Sequence, residues 1–532
     1  MDDNGVRIAK RLAQLKAERS VHEHVWRQCF EYTFPIRADG FQGETLDAQS
    51  GLDKRAKLLD ATGTDCSIIL ASALMSGLTP ANARWFSLDV DGIDREAKAW
   101  LDEASDVLWA NIHASNFDAV GFECMVDYTV AGWFAQYIDE DRKRGGLLFE
   151  QWPISQVYAA ASIPGGYIDT VYRTYSLTAE QAVAEYSEAK VSDKVRNLAK
   201  DKPDTKIEFV HAIEPRHRYR ESNGQQAVNM PVASCKVEAD TGHTVSESGY
   251  HEMPVIVPRW MLIPRSVYAV GKVYDALPDI KELNDLEYLN KSALEMAIAP
   301  PLIAEDDGVL NPRTVKIGPR KIVVAASTDS IKPLYDGADV KTGWVAKEQL
   351  QAGIRKIMMA DQLTPRDGPA LTATEVHANL MLLRQLMGPT FGRTQPEYLQ
   401  RMIERCFGLA YRAGALGQAP ESLANSEFHV RYLSPLARAQ KLEDVTAMDR
   451  FETALLTKSE ALPDLLDLYD WDEADRHRSE LLGVPQHLIR KPDEVEETRA
   501  AKAQAAQKAQ AQEMAAPVLQ EAGKAAVQRM AA

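Results

Sequence analysis

Two stretches with apolar residues at helical spacing, 277–299 and 342–362, constrain this chain most. The first carries Leu283, Leu286, Leu289, Leu294, Met296 and Ile298 and is stopped by Pro300-Pro301. The second is predicted to be a helix of nearly the same length. About 21 helical residues rise roughly 31 Å, the width of a small domain. Between them lies a short β-like insert (Val315, Ile317, Ile322, Val323, Val324) punctuated by Gly308, Pro312, Gly318-Pro319 and Gly337. After them come a loop, Thr364–Pro369, and a capping box, Thr372-Ala-Thr-Glu375. That box opens a helix broken near Gly388-Pro389 and continued over 393–416.

The flanks are mainly helical. Val6, Ala9, Leu12, Leu15 and Ala17 predict a helix over 5–34 that stops at Pro35. Small residues (Gly63, Ser67, Ala71, Ser72, Gly77) fill a second helix expected over Leu58–Leu78, which invites close approach by another backbone. Residues 94–115 and 117–132 read as two more helices. A β-rich block follows over 147–265, with the Thr178-Ala-Glu-Gln181 capping box expected to open a short helix within it. Residues 428–433 read as one strand and 436–460 as a helix. From Ala500 the chain is low-complexity Ala, Gln and Lys. The fold class expected is α+β, mainly helical.

Little points to catalysis. No P-loop, GxSxG elbow, HExxH or EF-hand pattern occurs in the 532 residues. Five scattered cysteines without a CxxC pair argue against a zinc ribbon or disulfide scaffold. No apolar run reaches the roughly 18–20 residues of a membrane helix. The N-terminal Met1-Asp2-Asp3-Asn4 has no signal pattern, so synthesis in a reducing cytosol is expected. His22 and His24, two apart, point to different sides of a helix and predict no metal pair. His211 and His217 flank an Arg-rich strand-like run and read as surface residues.

Charge carries more information. The net charge of −16, with a pI of about 5.3, excludes a protein that grips nucleic acid over its whole surface. Residues 443–480 hold twelve acids and four bases, a net of −8. The β insert is the reverse: Arg313, Lys316, Arg320 and Lys321 stand with no acid between Asn311 and Val324. Arg355 and Lys356 lie on the second long helix, and Arg366 lies in the loop after it.

Several segments taken in order resemble a known family. They are Trp26-Arg-Gln-Cys-Phe-Glu-Tyr-Thr-Phe-Pro35, Asp60-Ala-Thr-Gly63, Ser76-Gly-Leu-Thr-Pro80 and Trp85-Phe86-Ser-Leu88. They continue with Leu371-Thr-Ala-Thr-Glu-Val376, Gly388-Pro-Thr-Phe-Gly-Arg393, Tyr432-Leu-Ser-Pro-Leu-Ala437 and Gly483-Val-Pro485. The chain resembles, over nearly its whole length, the portal protein of short-tailed, T7-like bacteriophages, the head-to-tail connector.

The resemblance implies a portal fold assembled as a ring, usually of twelve copies, at one capsid vertex of the virion. It implies a wing over 1–276, stem helices over 277–299 and 342–362, and a clip over 300–341. A channel loop would occupy 363–371, a long kinked wing helix and strand 372–433, a crown 434–499 and the tail 500–532. The implied function is a passive conduit for double-stranded DNA in packaging and ejection, with no cofactor and no catalytic residue. Terminase, then a tail adaptor protein, would dock at the clip; capsid and scaffolding or internal core proteins would be further partners, and no membrane is involved. Arg366, then Arg355 and Lys356, are the candidates for DNA contact in the channel. Arg313, Lys316, Arg320 and Lys321 are the candidates for DNA or partner contact at the clip. The competing reading is a nucleic-acid-processing or hydrolytic enzyme with a scattered active site.

Overall fold

The computed structural model describes residues 3–42, 55–82, 84–90, 95–216, 226–298, 302–304, 331–333, 340–363, 392–423, 429–432, 435–459, 469–482 and 494–502, with a few isolated positions between them. The capping box at 372–375, the inner part of the β insert and residues 506–532 of the Ala/Gln-rich tail lie outside the described residues.

In chain order the helices are α1 (Asp3–Glu31), α2 (Pro35–Asp39), α3 (Thr62–Leu78), α4 (Arg95–Ala114), α5 (Phe117–Val130), α6 (Ala179–Tyr186) and α7 (Asp193–Asp201). They continue with α8 (Lys272–Ile298), α9 (Val340–Ile357), α10 (Ala360–Leu363), α11 (Arg401–Arg412), α12 (Pro435–Ser459) and α13 (Trp471–Leu482). The strands are β1 (Phe86–Asp89), β2 (Ala135–Glu140), β3 (Leu147–Trp152), β4 (Val157–Ala160), β5 (Thr170–Thr178), β6 (Lys206–Pro215) and β7 (Val232–Glu238). The remaining strands are β8 (Thr244–Tyr250), β9 (Val255–Ile256), β10 (Met261–Leu262), β11 (Ala269–Val270), β12 (Leu302–Ala304), β13 (Ile331–Pro333) and β14 (His429–Tyr432). The chain forms two compact units, one of residues 1–85 and 106–418, the other of 86–105 and 419–532.

The first unit is built on a five-stranded antiparallel sheet in the order β4-β5-β6-β7-β8. Side chains alternate across a strand, and here both faces are covered. Ile8, Leu12 and Leu15 of α1 bury Tyr172, Val210 and Cys235 on one face. Ala182, Tyr186 and Val195, from α6 and α7, bury Phe209 and Val245 on the other. The buried stripe of α1 thus uses Ile8, while Ala9 and Ala17 face solvent. The stripe also includes Arg19. Its guanidinium donates to the Ile154 and Val157 carbonyls at 3.0 and 2.8 Å and lies 4.2 Å from the Tyr158 ring centre. The capping box at α6 forms as the sequence predicts. Thr178 N donates to Gln181 Oε1 at 3.0 Å and Gln181 N to Thr178 Oγ1 at 3.2 Å.

The β-rich region starts earlier than 147. Strand β2 sits at the centre of a second sheet, β3-β2-β9, directly after α5. Its first two residues are both buried, so the alternation that marks a half-exposed strand is missing there. His211, expected at the surface, is buried in β6 and shares a 2.8 Å hydrogen bond with Ser234 Oγ. Burial, with Lys236 and Arg173 adding to it, pushes its pKa down to about 3. His217 lies outside the described residues.

In the second unit, β1 pairs antiparallel with β14, Phe86 opposite Tyr432 and Asp89 opposite His429. Helices α12 and α13 pack together through Phe451, Tyr469 and Trp471, with ring centres 5.5 and 5.1 Å apart. Part of the acidic block is neutralised internally, since Arg478 pairs with Glu452, with Asp475 at 2.9 Å and with Asp449 at 3.4 Å.

Candidate functional site

The two long helices lie against each other. Asn290 Nδ2 donates to the Gly343 carbonyl at 3.3 Å, Lys347 pairs with Glu287, and Gly353 stands opposite Asp279. The numbers rise on α9 as they fall on α8, so the helices are antiparallel. Strands β12 and β13, also antiparallel, connect toward the insert at their far end. α8 begins five residues before the predicted start and carries Pro278 inside it. α9 is shorter than predicted. It stops at Ile357, and after Met358 the chain turns through Met359 at φ +59°, a left-handed conformation unusual for a residue with a Cβ. A short helix, α10, follows. No glycine or proline marks that break, so the sequence offers no signal for it.

The near end of the pair is fastened by residues of the Asp60-Ala-Thr-Gly63 motif. Asp60 accepts from Thr62 N at 2.7 Å, opening α3, and from Gln351 Nε2 of α9 at 2.8 Å. Burial alone would raise the Asp60 carboxyl; the bonds from Thr62 and Gln351, with Lys347 nearby, outweigh it and hold its pKa below the usual value. Asn284 of α8 accepts from Leu59 N at 2.8 Å. Gly63 leaves room for Ile280, which a Cβ would meet at 3.0 Å. This is the close approach that the small residues of the segment predict. Lys281 donates to Gln28 of α1 at 3.0 Å and lies 5.4 Å from the Tyr32 ring centre.

A backbone crossing sets where α8 departs. Gly132 has φ +84°, and a Cβ there would lie 2.1 Å from the Val270 carbonyl carbon. Only glycine fits such a contact. Beside it, Trp26, Trp133 and Tyr268 form a buried aromatic cluster with ring centres 5.2–5.3 Å apart. Trp26 Nε1 donates to the Ala269 carbonyl at 2.9 Å.

Residues 392–394 and a π-helical segment, Gln395–Gln400, lead into α11. Its Glu397 is buried and accepts from Arg259 three times: from backbone N at 3.0 Å, Nε at 3.1 Å and Nη2 at 2.8 Å. Further along, Glu252 binds Arg412 at 2.5 and 2.7 Å and Arg405 at 3.1 Å. Burial opposes ionisation of Glu252, but the two guanidinium groups prevail and hold its pKa below the usual range. These ion pairs join positions more than 130 residues apart in the chain, which no local spacing reveals.

Of the candidate cations, Arg355 and Lys356 are exposed at the C-terminal end of α9 and form no ion pair among the described residues. Arg366, Arg313, Lys316, Arg320 and Lys321 lie outside the described residues. Among the described residues no group of three or more His, Cys, Asp or Glu is placed to hold a metal, and no helix is long and apolar enough to cross a membrane. His24 meets Gln28 at 3.0 Å, and His22 lies beside Trp26 and Tyr268. Reading by motif and charge missed an acidic line on α8, Asp279, Glu282 and Asp285. Its three-residue spacing is the signal that could have found it.

The family model described as bacteriophage head to tail connecting protein matches residues 6–489. The chain belongs to that family. Its curated relatives there include the portal protein of Salmonella phage epsilon15, 28% identical over 96% of this chain and 93% of the relative. The probable portal protein of Bordetella phage BPP-1 is 27% identical over 94% of this chain and 92% of its own length. Among solved structures, the neck of an empty gene transfer agent particle reaches a TM-score of 0.35 at 11% identity, over 80% of this chain and 90% of that one. Membership of a family of connectors supports a structural part of a phage particle and leaves the enzyme alternative without support.

Proposed function

We propose that this chain is the portal subunit, a passive conduit for double-stranded DNA at one capsid vertex, made in the host bacterial cytoplasm. The observation that carries the reading is the antiparallel α8–α9 pair joined through β12 and β13, in a chain matched to the connector family over 6–489. In this reading 277–299 and 342–362 form the stem, 300–341 the clip, 363–371 the channel loop, and 434–499 the crown. The remaining N-terminal and central parts form the wing. Terminase docks at the clip and supplies the nucleotide chemistry for which this sequence has no P-loop; a tail adaptor replaces it later. Capsid and scaffolding or internal core proteins meet the outside of the ring.

The charge suits such a conduit. Twelve copies at −16 carry about −190, while a duplex carries one negative charge per roughly 1.7 Å of axis. A mostly acidic tunnel repels DNA from every side and leaves no tight site to stall it. A few cations repeated around the ring would centre it. Consecutive helical residues point about 100° apart, so Arg355 and Lys356 cannot both face one axis. Lys356 and Arg366 are proposed to face the duplex, with the clip bases Arg313, Lys316, Arg320 and Lys321 contacting DNA or adaptor.

Light scattering and negative-stain imaging of the purified chain test the reading. Rings on the order of 0.7 MDa with a central hole are expected from twelve 59.1 kDa subunits. A monomer-to-tetramer particle without a hole overturns it. Arg366→Ala is expected to alter packaging or retention of DNA; unchanged values for both would remove that residue from the role.

A further inference from the structure

Helices α8 and α9 hold seven of the nineteen exposed large apolar side chains among the described residues, including Tyr288, Leu289, Ile298 and Trp344, each more than half exposed. Between the helices runs a groove of about 490 Å³ lined by Leu286, Leu289 and Leu350, and edged on the α8 side by Asp279, Glu282 and Asp285. None of the three acids forms an ion pair among the described residues. Exposed apolar surface of this kind marks an interaction site.

We propose that the groove takes α9 of a neighbouring copy, its Trp344 seated on Leu286 and Leu289 and its Arg355 against Asp279 and Glu282. The inference rests on the portal reading, because it needs an assembly axis running along the helix pair.

Two properties of the pair carry it. The first is direction. At about 100° per residue, Trp344 and Arg355, eleven residues apart, fall within about 20° of each other on α9. The α9 residues lining the groove, Ala346, Gln349, Leu350 and Gly353, centre about 180° from that strip. One flank of the pair is therefore a cleft and the opposite flank a ridge. That is what a heterologous, ring-closing contact requires, because each copy must present different surfaces to its two neighbours.

The second is level. Rotation about an axis parallel to the helices keeps every residue at its height. Gly343 meets Asn290, so Trp344 stands level with Leu289; Gly353 meets Asp279, so Arg355 stands about 3 Å from the level of that carboxylate. Apolar thus meets apolar at the far end of the pair, and cation meets anion at the near end. Glu348 lies on the same ridge, between Trp344 and Arg355, and is level with Asp285, a like-charged meeting that weakens the middle of the contact.

The test uses the full chain and the mass distribution of its assemblies. Arg355→Glu alone, and Asp279→Lys with Glu282→Lys together, are each expected to lower the ring fraction at least about tenfold at moderate salt. An equimolar mixture of the two proteins should return it to within about twofold of the unsubstituted chain, because in an alternating ring every ridge then meets a groove of opposite charge. Glu348→Lys should make rings more resistant to salt. Circular dichroism melts report whether each variant folds. If either reversal does not fold, the neutral Arg355→Gln decides, and an unchanged salt dependence of its ring fraction overturns the inference. The inference also falls if both reversed proteins assemble like the unsubstituted chain, or if two folded variants do not rescue each other. Absence of rings from the unsubstituted chain would instead count against the portal reading.

Discussion

On the β4–β8 sheet the apolar residues are enclosed within one chain: α1 covers Tyr172 and Val210, and α6 with α7 covers Phe209. On α8 and α9 the same residue types remain outside, with Leu289, Ile298 and Trp344 exposed, although the near end of the pair is pinned by Asp60, Asn284 and Lys281. The sheet region is finished as a single subunit, whereas the helix pair is anchored at one end and left incomplete along its flanks. In the proposed ring, the incomplete region is the one that a neighbour would complete.

The comparison can be broken most severely at the anchor of the finished region. Glu397→Ala strands the buried Arg259 guanidinium, and a loss of about 3–5 kcal/mol in unfolding free energy is expected by denaturant titration. A loss below about 1 kcal/mol would mean that the pair is not structural. Next comes pH. His211 has a folded pKa of about 3, below its unfolded value near 6.5. Its contribution is complete above about pH 6.5 and falls as pH drops toward 3, amounting to about 2 kcal/mol lost by pH 5. His211→Gln should flatten that slope between pH 6.5 and 5 in melts of the purified chain. A smaller effect is expected at the cap of α6, where Thr178→Ala should cost about 1 kcal/mol, measured by chemical denaturation. Smallest for the lone subunit is Trp344→Ser, within about 0.5 kcal/mol of the original. The same change should deplete rings in light scattering. A large loss of subunit stability instead would show that Trp344 already has its partner within the chain.

Much of this contrast is written in local sequence. The helices over 62–78, 95–114 and 117–130, the strand at 429–432 and the Thr178 capping box follow from spacing and caps alone. What local pattern hides is of two kinds. Ile8 and Ala9 offer the same helix two registers, and only the sheet beneath decides for Ile8. Residues buried on both sides, such as those opening β2, lose the alternation that would announce them. For the site, the motif containing Asp60 is visible, but its bond to Gln351 spans 291 positions and belongs to tertiary structure. The turn at Met359 is invisible because surrounding contacts, not a glycine, hold it left-handed, at a cost of roughly 1–2 kcal/mol.

The pairing of β1 with β14 sets a timetable for synthesis. Phe86 leaves the ribosome 346 residues before its partner Tyr432, a delay of roughly 17–70 s at bacterial speeds of about 5–20 residues per second. Throughout that interval Phe86–Asp89 lacks its mate, while the sheet built from 157–250 can already close. An edge left waiting that long is open to pairing with the wrong strand. Slower translation or a busier polysome should therefore raise misassembly through this strand.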